Sequence, residues 1–253
     1  MFEAEITGSR LARVVEVANA IVEEARVHLD EDGIRIRAVD PANVAMVDLT
    51  AAAAMFETYE ADGGVIGLNL SRLDDVAGMA GADTLVAFEL DEETRKLRIE
   101  AESLEYTMSL IDPDAIRQEP DFPDLDLPAR VIVEGREIGR GVKAADMVSD
   151  HIRMSVDDES EEFVIDAEGD TDDIHMEMNS DTLLDLRAAP ADSLYSLDYF
   201  KDMNRVFEGD TEVEFELGEE FPMKAHFGIG DGDDGGDAES RATYMLAPRI
   251  QSS

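Results

Sequence analysis

The chain opens on a strict alternation. Phe2, Ala4 and Ile6 are apolar and Glu3 and Glu5 acidic, the period of a strand with one face buried and one in water. The period then lengthens. Leu11, Val14, Val15, Ala18, Ile21 and Val22 recur at helical spacing, with Ser9 as the expected N-cap and Ala12, Arg13, Glu16 and Ala20 on the other face. Strands are predicted over Val27–Leu29, Ile34–Val39 and Val44–Ala53, with Asp32-Gly33 as a hairpin turn. Val65–Leu70 is a further strand. A short helix follows it with Leu73, Val76 and Ala77 turned inward, and Leu85–Leu90, Lys96–Ala101 and Leu104–Ile111 complete a sheet.

Asp112–Pro128 breaks the pattern. Pro113, Pro120, Pro123 and Pro128 interrupt it, acidic residues fill the gaps, and no period survives, so it reads as an extended crossover linker. The second half then repeats the first. Arg130–Val133 is a strand; after it Arg136, Arg140 and Lys143 share one helical face while Ile138, Val142 and Ala145 share the other. Strands follow at Ile152–Val156, Glu162–Ala167 and Ile174–Met178. Ser193–Leu197 leads into a helix over Asp198–Phe207, with Phe200, Met203 and Phe207 inward and Lys201 and Arg205 outward. Glu212–Leu217, Pro222–Phe227 and Ala242–Leu246 end the second sheet. Gly67–Leu90 and Tyr195–Leu217 match in element order and nearly in spacing, which indicates a duplicated α+β domain. The expected division is 1–111, a connecting loop over 112–128, and 129–253.

Composition sharpens this picture at one point. The 253 residues carry 21 Lys+Arg against 61 Asp+Glu, a net charge of -40, yet 44% are hydrophobic, so the chain has cores to bury and is no disordered acidic tail. Lysine occurs only at Lys96, Lys143, Lys201 and Lys224, the composition of a protein living in molar salt. Such a charge ordinarily argues against nucleic acid. In molar salt, however, the Debye length is about 3 Å, and only charges on the contacting face matter. Arg10, Arg13, Arg72, Arg140, Lys143, Lys201 and Arg205 all fall in the four helical segments, so scarce cations are concentrated where they can meet a polyanion.

No apolar run approaches the ~20 residues of a membrane helix, no signal peptide is evident, and a cytoplasmic location is expected. Cysteine is absent, which removes disulfides and thiol chemistry. No cofactor or enzymatic activity is expected. His28, His151, His175 and His226 stand in no ligand spacing, and Gly135, Gly139 and Gly141 fit no phosphate-loop motif. The run Asp231–Asp237 lacks the closing glutamate of a calcium loop and reads as a solvated hairpin loop.

Several motifs together resemble the sliding clamps of the proliferating cell nuclear antigen (PCNA) family, in a salt-loving archaeal form. They are Met1-Phe2-Glu3-Ala4, Gly8-Ser9, Val39-Asp40-Pro41-Ala42-Asn43-Val44-Ala45-Met46-Val47, Gly67-Leu68-Asn69-Leu70, the proline-rich crossover, and Leu246-Ala247-Pro248-Arg249-Ile250. The resemblance spans the whole chain. It implies the DNA clamp fold: two similar domains per chain and a head-to-tail homotrimeric ring, helices inside and sheets outside. Side-by-side helices about 10 Å wide would leave a hole about 38 Å across, enough for a duplex. Edge strands near Glu105–Leu110 and Asp173–Met178 would pair between chains.

The resemblance further implies a processivity factor without catalytic residues. Arg13, Arg140, Lys143 and Arg205 match basic positions of the family's inner helices, with Arg10, Arg72 and Lys201 as neighbours able to substitute. Ala12, Asp75 and Gly78 stand where relatives carry basic residues, which thins the charge. Val39, Asn43, Val44, Met46, Pro222, Leu246, Ala247 and Pro248, with Phe122 and Leu125 from the loop, map onto the family's partner groove. That groove takes a short peptide with a glutamine and an apolar anchor on a helical turn. Implied partners are double-stranded DNA, a replicative DNA polymerase, the clamp loader (replication factor C), flap endonuclease and DNA ligase, all at the nucleoid. Two other readings stay open: an acidic two-domain adaptor that never encircles DNA, and a DNA mimic, which explains the charge but not the basic helices.

Overall fold

The computed structural model describes residues 1–119, 121–207, 209–230 and 240–249. Two compact units divide the chain, one comprising Met1–Asp40, Val47–Asp121 and Gly228–Ala242, the other Pro41–Met46, Phe122–Phe227 and Thr243–Ser253. The connecting segment is therefore shared, its first part folding with one unit and the rest with the other.

In the first unit β1 (Phe2–Thr7) leads into α1 (Gly8–Asn19), then β2 (Glu24–Asp30), β3 (Gly33–Val39), β4 (Ala45–Ala52), β5 (Thr58–Ala61) and β6 (Gly64–Asn69). Helix α2 (Leu70–Ala77) follows, then β7 (Leu85–Asp91), β8 (Lys96–Ala101) and β9 (Leu104–Ser109). One sheet runs β5-β1-β7-β8-β9, and β3-β2-β6 are consecutive in another. Leu11, Val14, Val15, Val17 and Ala18 of α1 and Leu73, Val76 and Ala77 of α2 are buried, so the period seen in the sequence is the period that packs.

The second unit repeats the plan with β10 (Ala129–Glu134), α3 (Gly135–Ala145), β11 (His151–Asp157), β12 (Glu162–Glu168) and β13 (Asp173–Met178). It continues through β14 (Asp185–Arg187), β15 (Ala191–Ser196), α4 (Leu197–Asn204), β16 (Glu212–Leu217), β17 (Met223–Gly228) and β18 (Arg241–Leu246). One sheet is β13-β12-β11-β15, and β14-β10-β16-β17-β18 are consecutive in the other. Its core is aromatic. Phe200 of α4 stacks on Phe215 of β16, and Phe207 packs against Phe215, Phe227 and Tyr244.

The structure corrects several expectations. Helix α1 starts at Gly8, with Thr7 at the N-cap and no side-chain cap bond, so Ser9 lies inside the first turn. Gly8 and Ser9 instead donate their backbone N–H groups to Thr84 O and Ala82 O, which removes the need for a capping side chain. The first hairpin pairs Asp30 with Gly33, so the turn is Glu31-Asp32 rather than Asp32-Gly33. Helix α4 ends at Asn204, leaving Arg205 as its C-cap and Phe207 beyond it, still buried. Strands β5 and β14 were not anticipated. The connecting segment is not wholly extended: Pro113–Ala115 forms a short helical turn, and Asp112 accepts from Asp114 N–H at its start. The run 231–237, read as a solvated loop, lies outside the described residues.

Gly33 shows how tightly the first unit closes. Its φ is +140°, and a Cβ there would lie 2.3 Å from Ala51 O. Its own carbonyl accepts from Tyr59 Oη at 2.6 Å, and burial pushes that phenol up to about 12. Gly33→Ala meets both a disfavoured conformation and backbone overlap, so we expect a loss of about 2 kcal/mol or more, read as a lower urea midpoint with unchanged slope.

Candidate nucleic-acid interface and partner groove

The seven helical cations are not equally available. On α3, Ile138, Val142 and Ala145 are buried, which turns Arg136, Arg140 and Lys143 to solvent. Arg140 is then held by Glu137 at 2.5 Å, one turn back on the same helix. On α4, Lys201 Nζ lies 2.8 Å from Asp146 Oδ1 at the end of α3, and Asp198 is also within 3.9 Å. Arg205 reaches Asp202 at 3.2 Å. Arg10 bends away from the exposed face of α1 to Met55 O, 3.2 Å, and Glu57, 3.4 Å. Arg13 is half-buried on α1. Arg72 and Lys143 are exposed, and among the described residues no carboxylate lies within ion-pairing distance of either.

Each helix thus carries cations and, for α3 and α4, their own counter-charges. Exposed pairs of this kind contribute about 0.2–1 kcal/mol each. A polyanion can displace the carboxylate at little cost, and gains little by doing so.

The residues expected in the partner groove separate into two sets. Asn43, Val44, Met46, Phe122, Leu125, Pro222, Ala247 and Pro248 belong to the second unit, and Val39 to the first. Ala247 N–H donates to Val44 O at 2.9 Å, and Arg249 N–H donates to Leu194 O at 2.7 Å, so the chain after β18 is pinned just before β4 at one point and to β15 at the other. The turn before β17 is fixed as firmly. Ser193 Oγ donates to Gly218 O and accepts from Phe221 N–H, while Tyr195 Oη donates to Phe221 O at 3.0 Å. Burial pushes that phenol's pKa upward. The end of the connecting segment is held by Arg187, whose guanidinium donates to Pro128 O and Leu127 O.

Strand alternation decides which side chains can line the surface. Tyr244 packs inward on Phe207 and Phe227. Leu246, two residues on, is 0% exposed on that inward face. Its side chain is part of the core, so it cannot offer the groove the contact expected of it. Met245, between them, takes the outward face with Thr243, which bonds His226. Met46 shares its outward face with Asp48, since Ala45, Val47 and Leu49 are fully buried. Phe221, half-exposed beside Pro222, is a second apolar group that the sequence reading missed. The alternation of Thr243, Tyr244, Met245 and Leu246 held the signal for Met245; nothing local marked Phe221.

The connecting segment is tied to the first unit through charge. Arg117 donates to Asp40 O at 3.1 Å. Glu119 binds His28 and lies 3.2 Å from Arg26 Nε. Among the described residues no group of His, Asp and Glu is arranged to hold a metal, and no helix is long and apolar enough to cross a membrane.

The family model for the proliferating cell nuclear antigen N-terminal domain matches residues 1–115. A protein of Haloarcula marismortui named DNA polymerase sliding clamp is 58% identical over 252 residues, covering 100% of both chains. The chain belongs to the DNA polymerase sliding clamp family. A clamp of the same name from Methanococcoides burtonii is 41% identical over 252 residues. Among solved structures, the complex of the C-terminal region of FEN-1 with A. fulgidus PCNA aligns with TM-score 0.91 and 35% identity over 100% of each chain. PCNA from Thermococcus kodakaraensis aligns with TM-score 0.87 at 23% identity, which speaks for the fold alone. The acidic composition of this clamp fits its 58% identity to a haloarchaeal clamp.

Between β3 and β4, Asp48 accepts from Arg35 at 2.9 and 3.1 Å and from Arg37 at 3.0 Å. Burial alone would raise its pKa, but the two guanidiniums outweigh burial and hold it below the usual carboxylate range. A depressed folded-state pKa adds stability above the unfolded value of about 3.9, lost as pH falls through the folded value. Asp48→Asn should therefore lower the melting temperature at neutral pH and flatten its decline below pH ~4, measured by thermal unfolding in molar potassium chloride.

Proposed function

We propose that this clamp closes head to tail as a homotrimer around duplex DNA and tethers replication and repair enzymes to it in the cytoplasm. The observation that carries this reading is a pair of open sheet edges. Strand β9 ends one sheet of the first unit and β13 ends one sheet of the second, and among the described residues each has one side without a partner strand. An unpaired edge is a template for another strand. A β9-to-β13 contact is heterologous and repeats until rotation closes it into a ring. On β13, His175 sits between Glu177 at 2.9 Å and Asp166 at 2.6 Å, which together hold its pKa above the ordinary value. When protonated, the ring offsets acidic charge along that edge.

The basic helices support the same reading. Phosphate contacts weaken with salt at a log-log slope of about -0.9 per neutralised phosphate. Cations already paired to Glu137, Asp146 and Asp202 bind phosphate weakly, and a closed ring needs no more. Charge reversal at Arg13, Arg140, Lys143 and Arg205 should cut clamp-stimulated polymerase processivity at least about tenfold, while light scattering in molar potassium chloride still gives the wild-type mass. Unchanged processivity would reject these residues as the DNA face.

For partner docking, the archaeal PCNA likeness was solved with a FEN-1 C-terminal region. This supports a flap endonuclease peptide in the groove of Val44, Met46, Pro222, Ala247 and Pro248, with Phe122 and Leu125 above. The polymerase and DNA ligase would compete for it. Val44→Ala with Pro248→Ala should weaken binding of such a peptide about tenfold without affecting loading onto DNA, tested by fluorescence anisotropy and a loading assay.

A further inference from the structure

One cation in the second unit stands apart from the helices. Lys224 lies on β17 and is only 8% exposed. Among the described residues its ammonium has neither a hydrogen-bond nor an ion-pair partner. Its cross-strand neighbour is Glu216, but Glu216 Oε2 is directed to His226 Nε2 at 3.5 Å. The stem is buried, but the ammonium is not among the buried polar atoms left without a partner, so its tip reaches the surface. A chain with only four lysines has placed one of them on a sheet face where, among the described residues, no carboxylate pairs with it.

The position of Lys224 gives the reason. Ile229 N–H donates to Ser240 O, and His226 Nδ1 lies 2.9 Å from Thr243 Oγ1, so β17 and β18 run antiparallel with Lys224 level with Met245. The Ala247 to Val44 bond brings Met46 alongside Met245 in turn. Pro222 is two residues back on the outward face. The ammonium therefore borders an apolar floor of Met46, Met245 and Pro222.

We propose that Lys224 is a specificity-determining residue of the partner groove, pairing with a glutamate or aspartate side chain carried by the docking peptide beside its apolar anchor. This rests on the groove reading above. Once the docked peptide covers it, the pair is shielded from the salt that screens surface charges. The binding peptide supplies the counter-charge that the free protein lacks.

The test uses a short fluorescent peptide with a glutamine and an aromatic anchor, plus a set in which a single glutamate or glutamine moves through each position flanking the anchor. Anisotropy is read in molar potassium chloride on the full-length clamp. At one position glutamate should bind wild type about tenfold tighter than glutamine. Lys224→Met should abolish that preference, and Lys224→Arg should retain part of it. The free Lys224→Met protein should melt close to the wild-type temperature. A flat glutamate-to-glutamine ratio at every position, or a preference that survives in Lys224→Met, overturns the proposal while leaving the groove in place. A Lys224→Met protein that melts well below wild type would assign the lysine to the fold and also overturn it. Failure of the parent peptide to bind wild type at all would reject the groove itself, and the proposal with it.

Discussion

Electrostatic repulsion sets the terms for every other interaction in this clamp. A net charge of -40 on 253 residues is tolerable only where salt screens it, and screening at a few ångströms leaves contact pairs as the only effective charges. The structure is arranged accordingly. Arginines meet carboxylates at 2.5–3.4 Å within helices and between strands, as with Arg140 and Glu137, Arg205 and Asp202, or Arg35 and Asp48. The same constraint shapes the helical faces offered to DNA. Their cations are shared with local carboxylates, so affinity for phosphate is modest, and in the proposed ring the hold on DNA is topological.

The proposed partner groove answers the constraint differently, by excluding water. Its floor of Met46 and Met245 and its rim of Pro222, Ala247 and Pro248 gain from apolar burial, which salt does not weaken. Its frame is held by hydrogen bonds from Ser193, Tyr195 and Arg187 to backbone carbonyls. The charge beside its floor, Lys224, would be desolvated once a peptide covers it, which is the condition under which an ion pair still discriminates between ligands in concentrated salt. The connecting segment is restrained upstream by Glu119 between His28 and Arg26.

Much of this was legible in the sequence because the buried faces are clean. Leu11, Val14, Val15 and Ala18 on α1, and Ile138, Val142 and Ala145 on α3, have a helical period that admits one packing. Strands β1 and β11 alternate as strictly. What escaped had no such face. Thr58–Ala61 is a four-residue edge strand exposed or half-exposed throughout, and Asp185–Arg187 is three residues long. Helix ends escaped because their caps are remote: Thr84 O and Ala82 O satisfy the start of α1 from across the unit. Leu246 was misjudged because a motif places a segment, whereas strand parity places a side chain. The orphaned ammonium of Lys224 is invisible in sequence altogether, since it exists only by virtue of what surrounds it.

The central claim is that closure around DNA, rather than affinity for it, retains this clamp. The most direct measurement is the lifetime of labelled clamp loaded by its clamp loader onto nicked circular plasmid in molar potassium chloride, before and after the plasmid is cut once. The account predicts long retention on the circle and rapid loss from the cut ends. Equal lifetimes on circular and linear DNA would contradict it.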